Sequence, residues 1–213
     1  MKGTGAPPPT DIALAFAPLG VRPAWSVLFR LDRRLGQVIA GAREPQLAAI
    51  RLKWWEEALE GLTHPGSVVE DPLLAELADL VRRYDVNPAS VSGLISGWAE
   101  LLEPLPLSQD GLARFAKVRG GLFGTAALIA GEEALPAAQV GSGWALHDLA
   151  RHMSDPVTAE RARAMAQDIV TPRLPRRLSA LAILANWART AGKGPVSSRR
   201  YALAAMRIAL IGH

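Results

Sequence analysis

The fold is decided by two consecutive segments of the chain, PAWSVLFRLDRRLGQVIAG at residues 23–41 and EPQLAAIRLKWWEEALEGL at residues 44–62. Apolar side chains recur in both segments at intervals of three and four residues, which is the period of an amphipathic α-helix. Only Ala42 and Arg43 separate the segments, and so short a connection is typical of antiparallel neighbouring helices. The segments therefore predict two antiparallel helices near the start of the fold.

The same period continues along the rest of the chain, and no segment alternates in the manner of a strand. Ser108 and Asp155 are predicted to cap helix starts, because a short side-chain oxygen can accept hydrogen bonds from first-turn amides. The sequence therefore predicts an all-α, single-domain helical bundle. Helices are predicted near residues 21–41, 44–61, 71–84, 88–103, 109–131, 136–153, 158–169, 175–191 and 197–211.

Length and composition favour one core. The chain has 213 residues, of which 49% are hydrophobic, and a chain of this size can bury one substantial core. Residues 1–16 include a proline-rich run and are predicted to be a mobile arm, while residues 17–213 form the helical domain. The longest apolar stretch, residues 120–131, is too short to span a bilayer. The chain contains no cysteine, which excludes disulfides, thiolate metal sites and cysteine nucleophiles.

Charge is distributed unevenly. Residues 1–150 hold 13 basic and 17 acidic side chains, whereas residues 151–213 hold 11 basic and 3 acidic ones. A basic last third can meet a membrane surface, diphosphate groups, nucleic acid or an acidic partner protein, or it can simply place arginine at exposed helix positions. Nucleic acid is not expected as a partner, because the sequence contains no recognised nucleic-acid-binding motif besides the charge.

Two charged residues fall where a helical wheel demands apolar ones. Asp32 lies within the apolar arc of the first predicted helix, and Arg51 lies in the middle of the apolar side of the second. Ionised side chains are almost never buried alone. We expect either a buried Asp32–Arg51 ion pair that joins the two helices, or a polar cavity in which Arg51 faces a ligand phosphate.

A third inward charge is Arg119, which lies at the centre of an apolar stripe. Together with Asp32 and Arg51 it predicts a shared polar pocket in the interior. Gly120, Gly121 and Gly124 follow it. Each would weaken an isolated helix by about 1 kcal/mol relative to alanine, so we expect the close approach of another helix or of a ligand chain.

The segment HDLARH at residues 147–152 places Asp148 and His152 four residues apart on one helical face. Such a pair can contribute two metal ligands. The alternatives are a solvated face with simple i,i+4 pairing, or a modified diphosphate site that uses Arg151.

These segments resemble the squalene/phytoene synthase family, the head-to-head prenyl transferases. The second opening segment matches the family's R-x-x-W-W-x-x-A-L helix, beginning at Arg51, and the first resembles its first substrate helix. FAKVRGGLFG at residues 115–124 is similar to the family's Y-C-x-x-V-A-G-x-V-G, and GWALHDLARH at residues 143–152 is similar to the helix of the second aspartate motif. The resemblance covers roughly residues 17–155.

The resemblance implies an isoprenoid-synthase bundle around a hydrophobic tunnel, with two aspartate motifs that bridge Mg²⁺ to prenyl diphosphates. We expect ligand-binding side chains at the polar end of this cavity and a second set that lines it. The expected ligand-binding residues are Asp32, Arg51, Arg119, Asp148 and Arg151. The expected lining residues are Trp54, Trp55, Phe115, Gly121 and Gly124.

The chain lacks the aspartate-rich motifs of the family. RLGQV at residues 34–38, where the first motif should lie, contains no acid, and Asp148 and Asp155 are seven residues apart rather than four. No two aspartates in the sequence are four residues apart. The chain is also short for the family, which implies a bundle truncated at the C-terminus.

We therefore expect a catalytically defective member, a pseudoenzyme, that acts as an isoprenoid- or lipid-binding protein or as an assembly factor. Assembly factors of respiratory complex I resemble the same family. The alternative is a divergent, active prenyl transferase that condenses prenyl diphosphates. No cofactor is expected, and Mg²⁺ only for an active enzyme.

The expected partners are a prenyl or quinone-type lipid, a partner protein, and a membrane contacted peripherally through the basic last third. The expected location is the cytoplasm, with contact at the inner membrane. No targeting segment is recognised at residues 1–9, which lack an apolar run.

Overall fold

Helices account for the regular structure throughout the described chain. The computed structural model describes residues 9–42, 44–63, 71–191 and 208. Within these residues the α-helices are α1 Pro9–Leu14, α2 Arg22–Ala40, α3 Pro45–Glu60, α4 Pro72–Tyr84, α5 Pro88–Ala99, α6 Gln109–Ile129, α7 Ala134–His152, α8 Pro156–Asp168 and α9 Ser179–Ala191. The all-α prediction is confirmed. Of the predicted helix at 197–211, only Ile208 lies within the described residues, and it is helical and buried.

Local sequence signals place most helix starts. Proline occupies the first turn of α2, α3, α4, α5 and α8, where its missing amide hydrogen costs nothing. Ser108 accepts a 3.0 Å hydrogen bond from the Gly111 amide, and Asp155 accepts a 2.7 Å bond from the Thr158 amide. Both predicted N-caps are confirmed.

The predicted arm at residues 1–16 is wrong over its last eight residues. Residues 9–14 form α1, and Ala13 and Leu14 are buried in the core. An ion pair of 3.2 Å joins Asp11 to Arg33 of α2, and the Ser179 hydroxyl donates to the Phe16 carbonyl oxygen at 3.4 Å. The short apolar run after the prolines therefore finds partners in α2 and α9, and residues 1–8 lie outside the described part of the chain.

Helices α6 and α7 pack antiparallel and very closely. A Cβ built on Gly120 would lie 2.6 Å from the Ser142 amide nitrogen and 2.7 Å from the Ala138 carbonyl oxygen. One built on Gly124 would lie 3.2 Å from the Ala134 carbonyl oxygen. The prediction of close helix packing is thus confirmed at these two glycines, whereas Gly121 has no such neighbour within 4 Å.

Helix α2 lies against this pair. The Trp25 indole donates to the Ala126 carbonyl oxygen at 2.9 Å, and Trp25 is fully buried. The contact sets α2 antiparallel to α6, so that Asp32 and Arg119 come to the same level of the bundle. Among the described helices, none combines the length and apolar character needed to cross a membrane.

The core-facing side of α3 differs from the predicted one. Ala48, Leu52, Trp55 and Leu59 point into the core. Three other large apolar side chains of α3 are between 46% and 66% exposed, and they are Leu47, Ile50 and Trp54. Because nine of the 16 residues of this helix are apolar and they lie on more than one side, the wheel alone could not locate the buried centre.

Candidate functional site

A buried ion cluster joins α2, α6 and α7. Arg119 donates from Nε to Asp32 Oδ1 at 2.9 Å and from Nη2 to Asp32 Oδ2 at 2.8 Å. Its Nη1 donates to Asp148 Oδ2 at 2.8 Å. The side chains of Arg119, Asp32 and Asp148 are 7%, 6% and 19% exposed. One guanidinium therefore binds two carboxylates from two other helices, in a bidentate geometry with Asp32.

Aromatic rings enclose the guanidinium. The Arg119 Cζ lies 4.2 Å from the ring centroid of Trp144, 4.8 Å from that of Trp98 and 5.7 Å from that of Phe115. The Trp98 indole also donates to Asp32 Oδ1 at 3.1 Å. Cation–π contacts strengthen when the cation is desolvated. We call Asp32, Trp98, Arg119, Trp144 and Asp148 the Arg119 cluster.

The electrostatics of the cluster keep Arg119 charged. Burial alone would lower the pKa of the Arg119 guanidinium, but the charges of Asp32 and Asp148 and their hydrogen bonds outweigh burial and raise it above its ordinary value. Arginine is already protonated at every pH a protein meets. Arg119 is therefore a permanent cation that is bonded to two carboxylates.

Trp98 covers the place where the first aspartate motif should lie. A Cβ built on Gly36, in the segment 34–38, would lie 2.9 Å from Cη2 of the Trp98 ring. That ring is held by its hydrogen bond to Asp32 and by an edge contact with Phe115 at a centroid distance of 5.7 Å. An aspartate at position 36 would therefore require the indole of Trp98 to shift.

The residues of the Arg119 cluster do not fit Mg²⁺. Magnesium needs several oxygen ligands in near-octahedral geometry, whereas Asp32 accepts from Arg119 with both oxygens and Asp148 accepts from it with one. Within the described ranges no group of three or more histidine, aspartate or glutamate side chains could hold a metal ion.

The predicted Asp32–Arg51 pair is wrong. Asp32 is buried as predicted, but its partner is Arg119. Arg51 is exposed on the outer side of α3, beside Leu47 and Trp54. Its predicted place in an interior pocket is wrong for the same reason, because α3 turns a different face to the core. Trp54, a predicted lining residue, lies on this outer side, whereas Trp55 is buried.

Helix α7 presents two different sides. Asp148 and Trp144 point inward to Arg119, so the predicted solvated face is wrong for Asp148. On the side of α9, the Arg151 guanidinium lies 4.0 Å from the Trp187 ring centroid. Burial, and next the charge of Arg189, lower the pKa of His147. A role of Arg151 in binding phosphate stays a prediction.

Of the predicted metal pair, Asp148 and His152, only His152 makes no bond to Arg119. His152 is exposed, and its Nδ1 lies 3.5 Å from Asp148 Oδ1, while Asp148 Oδ2 accepts from Arg119. Of the predicted lining residues in α6, Phe115 and Gly124 are buried in helix contacts, and Gly121 is half-buried.

Sequence reasoning missed the two tryptophans. Trp98 and Trp144 are ordinary apolar residues on a wheel, and nothing in their sequence neighbourhood marks them as neighbours of a cation. The available signal was Arg119 itself, since a buried guanidinium is commonly stacked on aromatic faces.

The Asp32–Arg119 pair should dominate the stability of the bundle. Arg119→Met should lower the free energy of unfolding by about 3–5 kcal/mol, because it leaves two carboxylates without their partner. Asp32→Asn should lower it by less, because Arg119 keeps its bond to Asp148. The double variant should lose clearly less than the sum. Urea unfolding of the four proteins gives the coupling energy.

Arg51→Met is the matched control. As an exposed arginine it should change the free energy of unfolding by no more than about 0.5 kcal/mol. Additive losses in the double variant, or a large loss from Arg51→Met, would contradict the assignment of Asp32 to Arg119.

Comparison with known proteins agrees with this architecture. A family model described as squalene/phytoene synthase matches residues 11–163, a range that contains the whole Arg119 cluster. No match to a curated protein was found. The family match covers more than half of the chain, and the chain therefore belongs to the squalene/phytoene synthase family.

Proposed function

We propose that this chain is a member of the family that works by binding and not by prenyl transfer. The observation that carries the proposal is the Arg119 cluster, in which one guanidinium bonds both Asp32 and Asp148. A departing diphosphate needs cations that stabilise its charge, and clustered carboxylates hold those cations. Here the chain's own cation uses the two carboxylates, and Trp98 packs on Gly36.

The role favoured is contact with a partner protein, as in an assembly factor. Leu47, Ile50 and Trp54 form one continuous, exposed side of α3, which we call the outer face of α3. A single lipid chain is usually bound in a concave pocket, whereas a convex helix side with anchors at this spacing suits helix-to-protein recognition. Large exposed apolar groups in one place commonly mark such contacts.

Turnover is the first test. Purified protein incubated with farnesyl or geranylgeranyl diphosphate and Mg²⁺ should release no diphosphate above the protein-free rate, because both acids of the cluster are bonded to Arg119. Chromatography of the organic extract should show no squalene- or phytoene-like product.

An active synthase of the family, assayed in parallel, serves as the positive control, and circular dichroism shows that the protein is folded. Steady turnover that increases with Mg²⁺ would contradict the proposal and support the alternative, a divergent prenyl transferase.

The partner is tested separately by photo-crosslinking in the native cell. A photoreactive amino acid at Ile50 should give a discrete protein adduct, because Ile50 lies on the outer face of α3 and is 66% exposed. The matched control position is Ala49, which is also exposed but lies on a different side of the helix.

Equal adducts from Ile50 and Ala49, or none from Ile50, would contradict a partner at this face. A lipid adduct at Ile50 would also contradict it, and would identify a prenyl or quinone-type lipid as the molecule bound at this face.

A further inference from the structure

All charged side chains in the last part of the chain are basic, apart from histidine. Asp168 is the final acidic residue of the sequence, and residues 169–213 contain eight lysines and arginines. Within the described residues of this range, the connection between α8 and α9 holds three arginines in five positions, and they are Arg173, Arg176 and Arg177. We call these three the basic ridge.

The basic ridge is held in place by the core. Its three arginines are exposed, whereas Leu174 and Leu178 between and after them are buried. Pro172 and Pro175 restrict the backbone, and the Leu178 amide donates to the Pro175 carbonyl oxygen at 2.8 Å. The guanidinium groups are thus displayed by an anchored segment, which reduces the entropy lost when they bind.

One exposed aliphatic side chain precedes the ridge in the chain, and another follows a segment that contacts the start of α9. Val170, which precedes it, is 74% exposed. After it, the Ser179 hydroxyl donates to the Phe16 carbonyl oxygen at 3.4 Å, which brings the start of α9 next to the chain that leads to Leu19. Leu19, in the turn before α2, is 79% exposed. The surface therefore combines cations with apolar tips.

We propose that the basic ridge, with Val170 and Leu19, is the surface through which the protein docks on an anionic lipid bilayer. Arginines are attracted to acidic headgroups, and small apolar tips insert at the boundary of the acyl chains, so the two signals together give stable peripheral binding. A nucleic acid fits less well, because the ridge carries no aromatic side chain on which a base could stack. This inference does not rest on the loss of catalysis.

Vesicle sedimentation tests the inference with the full chain. The protein should bind vesicles of mixed phosphatidylcholine and phosphatidylglycerol but not vesicles of phosphatidylcholine alone. Arg173→Gln, Arg176→Gln and Arg177→Gln together should lower the partition coefficient about 100-fold, since each arginine near an anionic surface contributes about fivefold. Val170→Ser should weaken binding further.

The matched control removes three positive charges elsewhere, through Arg34→Gln, Arg51→Gln and Lys53→Gln, all at exposed positions. It should lower the partition coefficient by less than about fivefold, because these charges lie outside the docking surface. Circular dichroism of both triple variants verifies their folding.

Three results would overturn the inference. They are equal losses in the two triple variants, equal binding to neutral and anionic vesicles, and binding of a nucleic-acid oligonucleotide or an acidic protein through the ridge without any binding to vesicles.

Discussion

The bonds from Arg119 to Asp32 and Asp148 are the interaction on which the rest of the structure depends. They join α6 to α2 and to α7 through three hydrogen bonds of 2.8–2.9 Å, and Trp98 adds α5 through its bond to Asp32. The close crossing of α6 and α7 at Gly120 lets Arg119 and Asp148 meet. Removing Arg119 would leave two carboxylates without their partner, so the guanidinium constrains the helices together.

The same interaction carries our proposal that the chain binds without catalysing prenyl transfer. In the resemblance between residues 115–124 and the segment Y-C-x-x-V-A-G-x-V-G, Arg119 stands where the family has an apolar valine. A guanidinium thus occupies the interior and is paired with both acids. Trp98 packs against Gly36, in the segment where the first motif should lie. The charges are paired, hydrogen-bonded and stacked on aromatic rings, which offsets part of the free-energy cost of burying them.

Helices and caps could be predicted because they depend on local signals, namely the period of apolar residues, the prolines in first turns and the short polar caps. The inward positions of Asp32 and Arg119 were also predictable from their own helices. The pairing of Asp32 with Arg119 could not be predicted, because a helical wheel shows which side of a helix a residue lies on but not which helix packs against that side. On α3 the apolar residues spread over two sides, so Arg51 was assigned inward although it is exposed. Residues 9–14 were missed because a helix of six residues depends on tertiary contacts more than on its own sequence.

The two surfaces that we propose to carry function, the outer face of α3 and the basic ridge, depend on the Arg119 cluster only through the stability of the bundle. The most direct test of that cluster is a crystal structure of the protein grown with Mg²⁺ and a non-hydrolysable prenyl diphosphate analogue. The account predicts that the Arg119 guanidinium stays bonded to Asp32 and Asp148 with no metal ion between them. Density for Mg²⁺ on either carboxylate, with Arg119 displaced from it, would contradict the account.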